Sequence, residues 1–336
     1  MATIRDVAKL AGVGIGTVSR VLSGKGSVSA KTLLKVNQAM ESLNFTPNSS
    51  ARSLVSKRLN TIGIWGTETS GEINRRTLSE IEAELKEFGI HLIFADGELN
   101  SGEDPTASRD SFDRLVSKGC DGIIIWGTDL PAREILQIEN EFPNITLLNN
   151  KIDLIDDKCF YFDHYQAGYV CGQHLIDKGH RNIACITGWL KTFDGTQRQQ
   201  GFIDAMSSNN IHIPRELIFE GDYTFTKGYE GALALLKQDN PFTALFCGND
   251  QSAMSAISAL TSKGFDVPND VSVIGYDDMN IASYTSPPLT TVRIPFNKMA
   301  VNATRRLLNL CYNLELNIDY DFSIELIERD SVKNIG

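Results

Sequence analysis

The chain has 336 residues, of which 42% are apolar, 22% charged and 8% aromatic. This composition excludes a disordered, collagen-like or coiled-coil protein, and the length predicts more than one domain because single cores stop growing at about 250–300 residues. No stretch has the roughly 18 uncharged apolar residues that a membrane helix needs, and the first ten residues contain no apolar signal core. We therefore expect a cytoplasmic protein with no membrane partner.

The formal net charge of −10 is unevenly distributed along the chain. Residues 1–60 contain nine Lys or Arg and two acids, a balance of +7, whereas residues 61–336 contain 23 basic and 40 acidic residues, a balance of −17. Charge acts on partners locally, so the basic segment suits nucleic acid and the rest of the chain would repel it. Taken alone, the charge pattern fits a solvated charged face equally well.

The cysteines occur without the spacing of a metal site. They lie mostly within apolar runs, and no C-x-x-C or His-paired pattern is present. We therefore expect buried, reduced thiols, with no metal and no cofactor, at Cys120, Cys159, Cys171, Cys185, Cys247 and Cys311.

Residues 1–46 are predicted to form a small, all-α head. Thr3 and Asp6 have the spacing of a capping box at the start of a first helix. A glycine-containing turn then leads to a second helix that begins near Ile15, and two short helices joined in this way are typical of a helix-turn-helix. Ser29 can cap a third, longer helix.

The second helix of such a motif lies in the major groove of DNA with its first residues at the base edges. Ile15 can contact a thymine methyl group, while Gly16 either permits close approach to the duplex or is a small residue where the helix packs. The run Gly12-x-Gly14-x-Gly16 is not a dinucleotide-binding loop, because no predicted strand precedes it. The residues of the head predicted to contact DNA are Thr3, Ile15, Gly16, Thr17, Ser19, Arg20 and Ser29.

Two stretches of the head carry a long and specific motif: Thr3-Ile4-x-Asp6-Val7-Ala8-x-x-Ala11-Gly12-Val13 and Thr17-Val18-Ser19-Arg20-Val21-Leu22. The motif resembles the head of the lactose-repressor/galactose-repressor family of bacterial transcription regulators. Gly14 stands where the family usually has a serine that caps the recognition helix. Exchanging such a cap for glycine typically costs only a few tenths of a kcal/mol, so the implied fold and function are unaffected.

Residues 47–60 are predicted to form a linker. They contain at most two helical turns, and an isolated helix of that length is not stable in water. The resemblance implies that this segment is the family's hinge helix, folded when two subunits pair it across DNA, with Leu54 wedged into the minor groove. Without the resemblance, Leu54 would be an ordinary apolar linker residue. The hinge residues implied to contact DNA are Asn48, Ala51, Arg52 and Leu54.

From residue 61 onward, short apolar runs alternate with helical patterns, which predicts parallel sheets covered on both faces. Within residues 61–336 we expect two similar α/β lobes, the first over about 61–160 and the second over about 162–290, with the chain recrossing near its C-terminus. Three Lys-Gly pairs predict helix ends with a left-handed glycine. The predicted strands span residues 61–65, 91–95, 122–126, 145–149, 159–162, 183–187, 244–247, 271–276 and 289–292.

Polar and aromatic side chains follow many of these strands. Ligands of open parallel sheets bind beyond the carboxyl ends of the strands, where Asp, Asn and Arg can bind adjacent hydroxyls and an aromatic face can cover a sugar ring. This pattern favours a saccharide. Tryptophans at strand ends are more often core residues than sugar platforms, which applies to Trp65, Trp126 and Trp189.

The family resemblance extends over the whole chain. It is carried by Arg198-x-x-Gly201-Phe202, Asn249-Asp250, Val273-Ile274-Gly275-Tyr276-Asp277-Asp278 and Pro288-Leu289-Thr290-Thr291-Val292. It implies an α/β, two-lobed, periplasmic-binding-protein-like (type I) regulatory core behind the helix-turn-helix head and hinge helix. By position, it implies that the effector is held by Asp163, Arg198, Asn249 and Asp277, with Tyr223 and Phe296 as aromatic walls.

The sequence departs from the family pattern near the expected cleft. Ile294 stands where glutamine is common, and residues 70–76 replace a stretch that is often apolar around Asp-Pro. Arg75 and Arg76 begin a helix there and either hold an anionic effector, such as a sugar phosphate, or form an exposed helix start. The predicted effector-binding set is Asp163, Arg198, Tyr223, Asn249, Asp277, Phe296, Trp65, Trp126 and Arg75.

These features together predict a homodimeric transcription factor, in the first place a repressor, that binds a palindromic operator in double-stranded DNA under the control of a sugar. An anionic sugar derivative or a nucleobase is the alternative effector. A carbohydrate-active enzyme is disfavoured because no Walker loop, G-x-S-x-G elbow or metal constellation is present. The basic head opposes a secreted solute-binding protein, and the absence of heptads after residue 291 opposes a tetramer.

Overall fold

The computed structural model describes residues 2–23, 28–43, 45, 58–66, 71–97, 105–127 and 130–336. The chain forms two compact units, one of residues 1–61 with 118–121 and one of residues 62–117 with 122–336. The return segment belongs to the first unit because Asp121 accepts hydrogen bonds from the backbone N–H of Leu59 (3.1 Å) and of Thr61 (3.2 Å). The predicted hinge contacts lie outside the described residues: Asn48, Ala51, Arg52 and Leu54.

The described residues of the first unit form three helices around a small core of their own. Thr3 and Asp6 form the predicted capping box, in which the Thr3 side chain accepts from the Asp6 N–H and the Asp6 carboxylate accepts from the Thr3 N–H. Gly12 ends the first helix in the left-handed region at φ 66°. The helices are α1 (Ile4–Ala11), α2 (Ile15–Ser23) and α3 (Ala30–Ser42), and their buried residues are Val7, Ala8, Ala11, Val18, Val36 and Ala39.

Lobe one of the second unit is a five-stranded sheet with helices beside it. Its strand order is β2-β1-β3-β4-β5, with parallel pairing of β1 to β3, β3 to β4 and β4 to β5. The elements in chain order are β1 (Thr61–Gly66), α4 (Glu72–Glu87), β2 (His91–Asp96), α5 (Pro105–Ser117), β3 (Gly122–Trp126), α6 (Ala132–Glu141), β4 (Ile145–Leu148), a 3-10 helix (Asp153–Lys158) and β5 (Cys159–Phe160).

Lobe two is a four-stranded parallel sheet of order β7-β6-β8-β9. Strands β6 and β8 are short apolar runs in which every residue is buried, which is the pattern of a covered parallel sheet. The elements are α7 (His164–Asp177), β6 (Ile183–Ile186), α8 (Phe193–Ser208), a 3-10 helix (Arg215–Leu217), β7 (Ile218–Phe219), α9 (Phe225–Leu235), β8 (Ala244–Cys247), α10 (Asp250–Ser262), β9 (Ser272–Ile274) and a 3-10 helix (Asn280–Tyr284).

The last segment joins both lobes. Strand β10 (Thr291–Arg293) pairs antiparallel with β11 (Glu325–Ile327), and between them α11 (Phe296–Tyr312) packs on lobe one. Arg305 of α11 bonds Glu84 of α4 with 2.6 Å between Nε and Oε1.

The structure also corrects the predicted strands. Residues 289–290 were predicted as part of β10, but the Leu289 N–H bonds the carbonyl of Ala282, and Thr290 forms an isolated parallel bridge with Ile274. Strands β7 and β11 were not predicted, since two or three residues show no period.

Local predictions of caps and thiols are confirmed. The glycine of each Lys-Gly pair has a positive φ, 78° at Gly119, 91° at Gly179 and 87° at Gly264. All six cysteines are buried and free of disulfides. Within the described part of the chain, no helix has the length and apolar character required to cross a membrane.

Candidate functional site

Helix α2 presents the predicted base-reading residues to solvent. Val18 is buried in the head, whereas Ile15 is 47% exposed and Gly16 and Arg20 are also exposed. Thr17 and Ser19 are partly exposed. Two other predicted DNA contacts are engaged as helix caps: Thr3 caps α1, and Ser29 caps α3 by accepting from the Thr32 N–H at 3.3 Å.

Gly16 is not a packing residue. A Cβ atom built at this position would meet nothing within 4 Å, so the explanation that α2 packs at Gly16 is wrong. Gly14 is equally open, and its carbonyl accepts from the N–H groups of Thr17 (2.9 Å) and Val18 (3.2 Å). Close approach to a duplex remains as the predicted reason for a glycine at position 16.

We expect Gly16→Ala to separate stability from DNA binding. Alanine should stabilise the head by about 0.5–1 kcal/mol, because glycine is costly within a helix, and should weaken operator binding about tenfold (~1.4 kcal/mol) by holding the helix off the bases. Thermal unfolding and fluorescence anisotropy measure the two effects. Gly14→Ala is the matched control for an open glycine, and equal operator affinity for Gly16→Ala and wild type would contradict the close approach.

Arg198 is the centre of the polar cluster in lobe two. It lies on α8 and is only 4% exposed. Its Nη1 donates to the carbonyl of Gly248, and its Nη2 lies 3.2 Å from Oδ2 of Asp194, one helical turn earlier. The guanidinium carbon is 3.7 Å from the centre of the Tyr276 ring. Among the described residues, Nε has no hydrogen-bond partner.

Tyr223 and Asn249 are bonded into the same cluster. Tyr223 has a φ of 70°, an uncommon conformation for a large side chain, and its hydroxyl donates to Asp194 at 2.9 Å. Asn249 caps α10 through the Ser252 N–H and donates its amide to the Tyr223 carbonyl, both at 2.9 Å. Two of the predicted effector residues thus contact each other directly.

Asp277 follows Tyr276, three residues after the end of β9, and acts electrostatically on Arg198. It is partly buried, and its carboxylate has no hydrogen bond to the described residues. Desolvation raises the pKa of Asp277 well above its usual value, and the positive charge of Arg198 opposes the shift. Burial is also the largest influence on Asp194, but Arg198, His164 and the hydrogen bonds from Thr192 and Tyr223 together lower its pKa. The Asp277 carboxyl group is therefore free to form a hydrogen bond with a ligand hydroxyl.

Three predicted effector residues have other roles in the structure. Asp163 is exposed and caps α7 by accepting from the Gln166 N–H at 2.7 Å. Trp65 is 1% exposed and donates to Ser111 at 2.7 Å as a core residue, so it offers no exposed face to a ligand. Trp126 is also buried.

Phe296 and Arg75 differ in their surroundings. Phe296 begins α11 and packs edge-on against Phe162 at 5.7 Å. Arg75 is exposed on α4. Its neighbour Arg76 lies 4.0 Å from the Glu72 carboxylate, which also accepts from the N–H of Asn280 at 2.9 Å.

Four residues that lie at this cluster were not predicted from the sequence. Asp194 could have been found one turn before Arg198, and Asn149 at the end of a predicted strand. Tyr276 lies within a motif that carries the family resemblance, and His164 directly follows Asp163 after a predicted strand. The four are Asn149, His164, Asp194 and Tyr276.

We expect His164→Gln to remove a pH dependence of stability. Burial lowers the pKa of His164 from 6.5 to about 3, so the neutral ring's stabilisation is complete above pH 6.5 and is lost as the pH falls toward 3. Between pH 7 and 5, the advantage of wild type over the variant should shrink by about 2 kcal/mol, at roughly 1.4 kcal/mol per unit. Urea unfolding at both pH values measures it, and a constant difference would contradict a buried neutral ring.

The comparisons with known proteins agree with this architecture. Residues 3–48 match "Bacterial regulatory proteins, lacI family", and residues 173–332 match "Periplasmic binding protein-like domain". The transcriptional regulator AscG of Escherichia coli is 36% identical over 335 residues, covering 99% of this chain and 98% of AscG. The chain belongs to the LacI family.

Two further relatives extend the family match. The transcriptional repressor PurR of Mannheimia succiniciproducens is 33% identical over 343 residues, covering 100% of both chains. A Lac repressor dimer bound to operator and an anti-inducer is 28% identical with a TM-score of 0.87, covering 99% of both chains.

The predictions of family, fold class and regulatory function are therefore confirmed. This LacI-family protein is a DNA-binding transcription regulator with a helix-turn-helix head and a two-lobed, effector-binding core. Its relatives are regulators and not enzymes.

Proposed function

We propose that this LacI-family protein is a dimeric repressor whose affinity for a palindromic operator is controlled by a neutral saccharide. The supporting observation is the buried Arg198, which shares Asp194 with the Tyr223 hydroxyl and packs on Tyr276. A guanidinium beside carboxylates and amides binds neighbouring hydroxyls in pairs, and tyrosine rings cover the apolar face of a sugar. Asp277 adds a carboxyl group on which burial and nearby charges act, with no hydrogen bond from the described residues among those influences.

The charges of this cluster favour a neutral effector over an anionic one. The Arg198 guanidinium is already paired with Asp194, and Asp277 adds a second acidic group, so among the described residues the cluster offers an anion no unpaired positive charge. Arg75 is exposed, and Arg76 faces Glu72. The two arginines of α4 are therefore weak evidence for an anionic effector, and the acidic cluster is stronger evidence for a neutral sugar.

A thermal-shift screen of the full chain tests the choice of effector. The panel contains neutral monosaccharides and disaccharides, sugar phosphates, sugar acids and nucleobases. A ligand at 100 times its dissociation constant adds about 2.7 kcal/mol of stability, so a neutral sugar should raise the melting temperature by several degrees. A response to sugar phosphates alone, or to nucleobases alone, would overturn the proposal.

We place the dimer contact on an exposed aromatic face of lobe two. Helices α9 and α10 border a groove of about 550 Å³ that includes Phe225 and Tyr229. A second groove shares Met254 and Ser258 with the first and reaches residues 285–286, beside Tyr284. Tyr284 is 85% exposed in the single chain, and large exposed apolar patches mark protein contacts. A second copy is the occupant, by analogy with the dimeric Lac repressor relative.

We expect Tyr284→Asp to weaken the dimer by about 2 kcal/mol or more, about 30-fold, because a buried tyrosine anchor is replaced by a charge. The fold should be unaffected, since the side chain is exposed in the single chain. Sedimentation velocity measures the dimer. Leu154→Asp, at an 80% exposed position on lobe one, is the matched control and should stay dimeric. An unchanged dimer for Tyr284→Asp would exclude this face.

The division of the chain is also part of the proposal. We assign residues 1–46 to the head, 47–60 to the hinge and 61–336 to the effector-binding and dimerisation core, acting in the cytoplasm, where the operator lies.

Leu54 is assigned to the minor-groove wedge. Leu54→Ala should reduce operator bending measured by gel mobility, and unchanged bending would contradict the wedge.

A further inference from the structure

His164 is bonded to residues of both lobes. It is the first residue of α7, placed directly after the chain passes from β5 of lobe one into lobe two. The ring is 1% exposed. One ring nitrogen, Nε2, lies 2.7 Å from Oδ1 of Asn149, and the other, Nδ1, lies 3.2 Å from the Tyr276 hydroxyl. Both nitrogens of a buried imidazole are therefore used, each toward a different sheet.

On the side of lobe two, this bond leads directly to Arg198. Tyr276 is fully buried, and its ring supports the Arg198 guanidinium at 3.7 Å while its hydroxyl bonds His164. The guanidinium is itself positioned by Asp194 and by the carbonyl of Gly248. Movement of Arg198 toward a ligand therefore changes the surface on which the Tyr276 ring rests.

On the side of lobe one, the bond ends at the sheet. Asn149 directly follows β4, has a φ of 61°, and donates its N–H to the Phe160 carbonyl of β5 at 2.8 Å. Because Oδ1 of Asn149 only accepts, Nε2 of His164 carries the hydrogen, and Nδ1 accepts from the Tyr276 hydroxyl. The direction of both hydrogen bonds is thus set by the chemistry of the three groups.

We propose that the chain Asn149–His164–Tyr276 couples the effector cluster of lobe two to the sheet of lobe one, with His164 as the positioning residue. No hydrogen bond joins Asn149 directly to Tyr276 among the described residues. A buried polar group that loses its partner is costly, so displacement of the Tyr276 hydroxyl requires His164, and then Asn149, to find a new arrangement. The inference rests on the proposed function only in treating Arg198 as an effector contact.

A double-mutant cycle on the full chain tests the coupling without effector or DNA. Asn149→Ala removes the lobe-one partner, and Tyr276→Phe removes one hydroxyl while keeping the ring under Arg198. Both changes are small enough for the chain to fold. The unfolding constant of the lobes is measured in urea by tryptophan fluorescence. We expect the unfolding constant of the double variant to differ at least fivefold from the value that the two single effects predict when multiplied. For unconnected sites the two values agree within about twofold.

Two further cycles show whether His164 carries the coupling. Asp163→Ala alters the adjacent, exposed cap, and its effect should be independent of Tyr276→Phe. In a His164→Leu background, the coupling between Asn149 and Tyr276 should fall to a factor of about one. Independence in the wild-type background overturns the proposal, and so does coupling that persists in the His164→Leu background.

The outcomes of this test and of the effector screen are separate. A screen without a neutral-sugar response leaves the cycle fully readable, since the cycle uses no ligand. If the effects of the Asn149 and Tyr276 substitutions are independent, the proposed coupling through His164 is wrong, and the saccharide proposal is unaffected. Should the His164→Leu chain fail to fold, the first cycle decides the question by itself.

Discussion

Operator affinity should fall by about 10³- to 10⁵-fold between 50 and 200 mM salt. This range is expected for a protein that contacts six to ten phosphates and releases their counterions. The basic segment of residues 1–60, at +7, supplies the contacts, while the rest of the chain, at −17, repels the duplex. Fluorescence anisotropy with an operator recovered by in vitro selection measures the slope.

The salt slope also tests Arg20 of α2 as a phosphate contact. Arg20→Ala should reduce the slope by about 2 in a dimer, which loses one contact per subunit at about 0.9 per phosphate. Arg133→Ala removes an exposed arginine of lobe one, near Glu134, and should leave the slope unchanged. Equal slopes for Arg20→Ala and wild type would exclude Arg20 as a backbone contact, and a wild-type slope near zero would exclude the head as the DNA-binding surface.

Arg198→Ala should destabilise the chain by about 3–5 kcal/mol and abolish its response to a saccharide. Removing one partner of a buried ion pair leaves an uncompensated charge, here Asp194, whose side chain is 14% exposed. The change also leaves the Tyr223 and Tyr276 rings without the guanidinium between them. Urea unfolding and the ligand-induced thermal shift measure the two losses.

Matched variants separate the buried charge from the rest of the cluster. Adding Asp194→Asn to Arg198→Ala should restore part of the stability, because the uncompensated carboxylate is then gone. Asp163→Ala should cost only about 1 kcal/mol as a lost helix cap and keep the saccharide response. Loss of the response in Asp163→Ala would support the position-based assignment of Asp163 over the structural one, and an undiminished response in Arg198→Ala would exclude Arg198 as the effector contact.

Local features of the chain were predictable from sequence because they depend on neighbouring residues. The capping box of Thr3 and Asp6 needs only a three-residue spacing, and the left-handed glycines need only a helix end. The alternation of buried strands and helices likewise follows from hydrophobic period. The family motif then implied the fold that the structure shows.

Some positions in the polar cluster of lobe two were predictable because the surrounding helices and strands determine them. Arg198 and Asn249 sit at a helix and a helix start whose neighbours orient them, and both lie in the cluster. Asp163 was predicted there too, but the residue after a strand can turn outward and cap the next helix, as it does here. Nothing local distinguishes those two outcomes.

The tertiary structure alone decided which distant residues meet. Asn149, His164 and Tyr276 are bonded in one chain although up to 127 positions separate them, Asn149 to Tyr276 by number. Trp65 is a core residue because Ser111 and Phe112 of α5 reach its indole. Such contacts depend on how sheets and helices pack, and packing distances are not encoded in the spacing of any one motif. Sequence therefore determined the local elements and the family, while the relative placement of the lobes' side chains set the polar cluster and the hydrogen bonds of His164 to Asn149 and Tyr276.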